Sequence, residues 1–240
     1  ESRGLGDVYK RQHLVWQGVN PCVFLRDFAD RVYHVHMKDV KVTLDGRAGI
    51  LGSHIEFGDT RRGWNFVSLG HGNVDFDGII RELNQMGTKL MVSVWPTVDI
   101  ASENHAELAQ MGGLIQPDHG NLYGTFMGYT TYFDSTHPQA RELVWNRSKQ
   151  NYFDKGVDLF WLDEAEPETA ANDMENVRFH IGPGAQVANI YPFFYTKAYY
   201  DGMTQAGMDK VINLVRCAWA GSQKYGVVLW SGDIQGLSLI

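Results

Sequence analysis

Asp163 and Asp233 each end an apolar, strand-like run: residues 157–162 lead into Asp163, and residues 227–230 lead into Ser231-Gly232-Asp233. Two carboxylates of this kind can cleave a glycosidic bond with retention. One attacks the anomeric carbon while the other, holding a proton, gives it to the leaving oxygen from about 5–5.5 Å away. The spacing of 70 residues corresponds to two strand-helix units, which would bring both groups to one rim of a parallel sheet. Trp95, Trp161, Trp219 and Trp230 lie close by in sequence or at neighbouring strand ends. Indole faces suit a sugar pocket, because pyranose rings present C–H groups to them. A plainer reading stays open, with Asp163 an acidic helix-start residue and Asp233 a turn residue. Glu164 and Glu166 read as acceptors for loop amides or an arginine, and Glu168 as part of a solvated face.

A second constellation sits on residues 31–42, RVYHVHMKDVKV. His34 and His36, two apart on a strand, share a face and could ligate a divalent metal completed by Asp39 or His71. A strand histidine can equally be a satisfied core or rim residue.

The elements that must position these groups alternate between strand and helix. A short helical rhythm over 23–29 precedes the histidine strand, and 45–73, rich in Gly, Asp, Arg and His, reads as a long loop. Asp77 is expected to cap a helix over 78–86 that ends at Gly87, ahead of a strand over 89–95. Further helices are expected over 138–154 and 189–207, a short helical linker over 218–224, and strands over 157–162, 211–216 and 227–230. The fold class is therefore α/β, an incomplete (β/α)8 TIM-barrel-type parallel sheet of about five strands. Five strands cannot close an eight-stranded barrel, so edges and pocket would stay open.

With 240 residues and 44% hydrophobic content, the chain can build a sizeable core, at the margin of one full barrel. Its 28 acidic and 21 basic residues give a net charge of −7, which disfavours a nucleic-acid partner. Cys22 and Cys217 lack the spacing of a disulfide framework or zinc knuckle. No apolar run approaches a bilayer span, so no membrane partner is expected, and the lack of a secretory signal pattern favours a cytoplasmic location. Oligomeric state is not legible. Residues 1–12, ESRGLGDVYKRQ, carry no apolar rhythm and resemble a translated sequencing adaptor. They are expected to stand outside the fold, and 236–240 to be a terminal scar, with both native termini missing.

FWLDEAEPE at 160–168 and VVLWSGDI at 227–234 resemble the nucleophile and acid/base motifs of glycoside hydrolase family 31, especially its α-xylosidase-like members. KLMVSVWPTVDIASEN, TTYFDSTHPQARELVWN, NIYPFFYTKAYYDGM and NLVRCAWAGSQKYG are similar to the same family in the same order, so the resemblance covers about residues 88–235. It implies Asp163 as nucleophile and Asp233 as general acid/base. It also implies substrate-binding roles for Trp95 and Arg216, beside the aromatic candidates Trp161 and Trp230, a carbohydrate substrate, and no cofactor. Arg216 could instead be an ion-pair partner.

Residues 13–87, through YHVHMKDV and LGHGNVDFDGIIRELNQMG, resemble the C-terminal part of a sugar isomerase/epimerase barrel. That resemblance implies His36 as a ligand of Mg or Mn, with its acidic partners absent from this sequence. The two resemblances meet over 79–87, so the chain reads as a chimera of a 13–87 segment and an 88–235 hydrolase segment, the latter expected to be inactive as it stands.

Overall fold

A computed structural model describes residues 9–10, 12–32, 35–50, 55, 59, 61–67, 70–120, 129–167 and 174–230. The chain divides into two compact units, Glu1–Leu90 and Met91–Ile240.

The first unit holds β1 (Tyr9–Lys10), α1 (Gln12–Val15), α2 (Pro21–Asp27), β2 (Val35–His36), β3 (Asp39–Val42), β4 (Trp64–Val67) and α3 (Phe76–Gln85). Helix α2 starts where Asn20 Oδ1 accepts the Cys22 N–H at 2.8 Å, with Pro21 in the first turn, where its fixed φ suits a helix. Helix α3, which packs on α2, is capped by Asp75 and not by the expected Asp77. The Asp75 carboxylate accepts the Gly78 N–H at 2.8 Å, and Asp77 falls inside the first turn, where its charge faces the positive end of the helix. The expected strand over 31–42 is split: β2 pairs in parallel with β1, and β3 pairs antiparallel with β4. Residues 9–10 thus join a ladder although the leader was expected to stand outside the fold, and the expected 45–73 loop contains β4. Ladder pairing uses main-chain N–H and C=O groups, which side-chain rhythm over two to four residues does not report.

The second unit holds β5 (Met91–Val94), β6 (Thr97–Asp99), α4 (Glu103–Met111), β7 (Gln116–Pro117), β8 (Thr130–Tyr132), α5 (Pro138–Asn151), β9 (Leu159–Leu162), β10 (Val177–Phe179), β11 (Gly182–Pro183), α6 (Gly184–Val187), α7 (Tyr191–Gln205), β12 (Asn213–Val215) and β13 (Val227–Leu229). Four of the five expected strands form one parallel sheet in the order β13-β12-β9-β5, part of a (β/α)8-type wall. Side chains alternate across it. Phe160 and Leu162 of β9 are fully buried, and Phe160 meets Trp145 of α5 and Tyr199 of α7 at ring-centroid distances of 6.2 and 5.1 Å. Gly202 lets α7 approach α5 this closely, since a Cβ there would stand 2.3 Å from the Trp145 indole. Two small antiparallel sheets, β6-β8 and β11-β10-β7, were not legible in the sequence.

Candidate active site

The parallel register delivers the sequence-predicted residues to one end of the sheet. Trp95, Asp163, Arg216 and Trp230 are each the first residue beyond β5, β9, β12 and β13. The ladder continues through them: the Asp163 N–H donates to the Val94 carbonyl at 3.0 Å, Arg216 N–H to Leu162 at 3.3 Å, and Trp230 N–H to Val215 at 3.0 Å. Strand carbonyl ends therefore hold these four backbones in step. Trp161 pairs with Ser93 on one side and Leu214 on the other, and its ring lies edge-on to Trp230 at 5.2 Å. Asp233 and Glu168 lie outside the described residues, so the separation of the two carboxylates does too. Trp219, at 47% exposure, stands in the turn before Ser222–Tyr225, its N–H donating to Ser222 Oγ.

Asp163 is 8% exposed. Its Oδ1 accepts the Glu164 N–H at 2.9 Å and lies 3.6 Å from Arg216 Nη1; among the described residues Oδ2 has no partner. Glu164 itself sits at φ 47°, a left-handed conformation that costs a side-chain-bearing residue about 1 kcal/mol. The result is a buried carboxylate with one oxygen fixed and, among the described residues, the other without a partner.

Arg216 makes the ion pair that was its alternative reading. Its Nε donates to both Glu166 oxygens at 2.8 and 3.0 Å, and its Nη2 to Oε2 at 2.7 Å. Glu166 thus takes the arginine-acceptor role expected of it, and Glu164 contributes its amide to Asp163. Replacing Glu166 by Gln removes the charge and disrupts the fork. Because the Glu166 side chain is 37% exposed, solvent screening limits the loss, and we expect a stability drop of about 1–2 kcal/mol, read as a lower denaturant midpoint at unchanged slope.

Sequence reasoning missed Tyr195. It is fully buried on α7, and its hydroxyl donates to the same Val94 carbonyl at 3.1 Å. Burial, with Tyr199 adding to it, pushes its pKa well above the usual phenol value, so the donor proton stays in place. The only signal available was the spacing of Tyr191, Tyr195 and Tyr199, which marks a helix face and no particular partner. Cys217, next to the ion pair, offers no thiolate, because burial chiefly, and Glu166 after it, push its pKa up to about 12.

The histidine constellation does not assemble in the described residues. His34 lies outside them, and of His36 only the backbone, in β2, is described. Asp39 is 1% exposed and already saturated. Its Oδ2 accepts the N–H groups of Gly70 and Gly72 at 2.9 and 2.8 Å, and its Oδ1 those of Val40 and Val74 at 2.8 and 3.3 Å. His71 is exposed on the turn that Asp39 organises. Asp39 is thus a loop anchor and has no lone pair directed at a metal. Among the described residues no group of three metal-ligating side chains gathers.

Comparison with known proteins bears on the same rim. The model of the glycosyl hydrolases family 31 TIM-barrel domain matches residues 58–238, beginning upstream of the expected boundary. A family 31 glucosidase of Pseudescherichia vulneris is 52% identical over 159 residues, covering 65% of this chain and 30% of that protein. An alpha-xylosidase of Saccharolobus solfataricus is 33% identical over 182 residues, covering 72% of this chain and 23% of that protein. Among solved structures, a family 31 alpha-xylosidase from a soil metagenome, complexed with xylose, is 52% identical with a TM-score of 0.65, over 67% of this chain and 24% of that one. A xylosidase from Aspergillus niger is 29% identical with a TM-score of 0.59, over 65% of this chain and 25% of that one. The chain spans less than a third of the length of these relatives.

Proposed function

Since the chain belongs to glycosyl hydrolase family 31, we propose that it carries the nucleophile side of a retaining, α-xylosidase-like glycosidase site. One observation carries this: the buried carboxylate of Asp163, its Oδ1 engaged by the Glu164 amide and its Oδ2 without a partner among the described residues, at the C-terminal end of a central barrel strand. Oδ2 attacks the anomeric carbon of a terminal α-linked sugar as the bond to the leaving oxygen breaks. Asp233 gives its proton to that oxygen, then takes one from the water that hydrolyses the glycosyl–Asp163 ester. Glu166 holds Arg216 beside Asp163, where its charge opposes that of the attacking group before reaction and keeps the carboxylate oriented. Trp95, Trp161 and Trp230 supply apolar walls for the sugar ring. The xylose in the metagenome relative and the names of the Saccharolobus solfataricus and Aspergillus niger relatives support a xyloside as substrate, while the Pseudescherichia vulneris relative is named a glucosidase.

We read residues 13–87 as a separate segment of the isomerase/epimerase kind. The division of the chain at Leu90 and Met91 supports this, while the family match reaching back to residue 58 weighs on the other side. A single amplification product across Gly87 from source DNA tests whether both halves share one gene.

The hydrolase reading is tested by grafting residues 88–235 of this chain into the metagenome alpha-xylosidase in place of its matching segment. The hybrid is expected to hydrolyse an aryl α-xyloside, with Asp163→Asn slowing it at least about a thousandfold. A folded hybrid without hydrolysis counts against the assignment.

A further inference from the structure

The N-terminus of α5 is capped by His137, a residue type that can lose its cap by taking up a proton. The His137 imidazole is 7% exposed, and its Nδ1 accepts the Ala140 N–H at 3.3 Å. An accepting Nδ1 is unprotonated, so the ring is neutral with its proton on Nε2. The Met111 carbonyl, at the end of α4, hydrogen-bonds the same imidazole. The turn between β10 and β11 closes over this cap: the His180 ring meets the His137 ring edge-on at 4.5 Å. The His180 N–H also donates to Asp134 Oδ2, while Asp134 Oδ1 accepts the Thr136 N–H and hydroxyl at 2.8 and 2.7 Å. Three elements, the end of α4, the start of α5 and the β10–β11 turn, therefore meet at one neutral imidazole.

We propose that His137 and His180 form an acid-opened latch that holds the β10–β11 turn against the start of α5 at neutral pH and releases it on protonation. A proton on Nδ1 removes the acceptor of the Ala140 N–H and places a positive charge at the positive end of α5. The groups facing His137 are His180 from the turn, Arg141 from α5, Asp134 from the preceding segment and the Met111 carbonyl from α4. Burial first, then His180 and Arg141, lower the pKa of His137, and Asp134 and the carbonyl only partly oppose them. The folded unit thus prefers the neutral ring. Its contribution is complete above the ordinary imidazole range and is lost as pH falls below it. This latch does not depend on the glycosidase assignment.

Hydrogen–deuterium exchange of the full chain, corrected for intrinsic rates, tests it. Between about pH 7.5 and about pH 4.5, protection of peptides covering 138–142 and 177–183 is expected to fall about fivefold while the β9 peptide keeps its protection. His137→Asn, and His137→Ser beside it, supply acceptors that do not titrate and should abolish that acid loss. Unchanged protection in the native chain overturns the proposal whatever the variants do. So does a loss shared equally by β9, which is global unfolding, or the same acid loss in a folded His137→Asn chain.

Discussion

Incubated with an aryl α-xyloside, the 240-residue chain is expected to release the aryl group at least about a thousandfold more slowly than the metagenome alpha-xylosidase. The reason is the inner face of the parallel sheet. Met91, Trp95, Ile212 and Val228, which share that face with Trp161 and Asp163, are 41%, 39%, 51% and 50% exposed. A (β/α)8 barrel buries such side chains in layers supplied by all eight strands. Here the described parallel sheet has four. Water reaches a rim open on this scale, and fixed dipoles lose most of their advantage once water competes for the developing charge. Chromogenic assay of the native chain beside Asp163→Ala decides the matter. Detectable turnover that vanishes in Asp163→Ala would refute the expected inactivity while strengthening the nucleophile assignment. Turnover insensitive to EDTA would accord with two-carboxylate chemistry, and turnover lost to EDTA would favour the metal-dependent alternative.

Asp39→Ala is expected to lower the stability of the first unit by about 3 kcal/mol or more, enough to unfold a unit of marginal stability. Four main-chain N–H groups converge on one buried carboxylate, and three of them come from the 70–74 segment on the far side of the β3–β4 pair. Removing the acceptor leaves the buried Val40 and Val74 donors without partners, each costing about 1–3 kcal/mol, while the part-buried bonds of Gly70 and Gly72 are lost at smaller cost. Partial relaxation toward water keeps the sum below a simple total. Asp39→Asn retains one oxygen acceptor and should fall between native and alanine. The stacked pair of Trp16 and Trp64, with ring centroids 3.9 Å apart, provides a local fluorescence signal for the unfolding curve. A native-like midpoint for Asp39→Ala would show that the loop does not depend on this anchor. A midpoint that rises with added Mn²⁺ in the native chain would return Asp39 to the metal reading.

The legible part of this protein lies where chemistry coincides with periodicity. The apolar runs before Asp163 and Asp233 identify parallel strands, the half-buried β9 inside the sheet and the largely exposed β13 at its edge, and helices α5 and α7 lie within the expected 138–154 and 189–207. Arg216 was placed correctly at a strand end, but spacing could not say whether its guanidinium would meet a hydroxyl or Glu166. The cap of α3 was misplaced by one half-turn because Asp75 and Asp77 are both acceptable by composition, and only backbone direction selects between them. The histidine strand illustrates the opposite failure. His36 and Asp39 have ligand chemistry and strand spacing, yet Asp39 is occupied by amides more than thirty residues away in sequence, as its contacts with Gly70 and Gly72 show.

What the residues determined unaided was local: which runs are strands or helices, which carboxylates and indoles stand at their ends, and which family those motifs resemble. Short-range periodicity and strand-end position are properties of consecutive residues, so they survive in a string of letters. Tertiary structure alone decided that the Glu164 amide engages Asp163 Oδ1, that Glu166 grips Arg216, that Tyr195 and Asp163 share the Val94 carbonyl, and that His137 and His180 meet. Hydrogen bonds act over about 3 Å and join groups far apart along the chain, so their partners are chosen by how the elements pack.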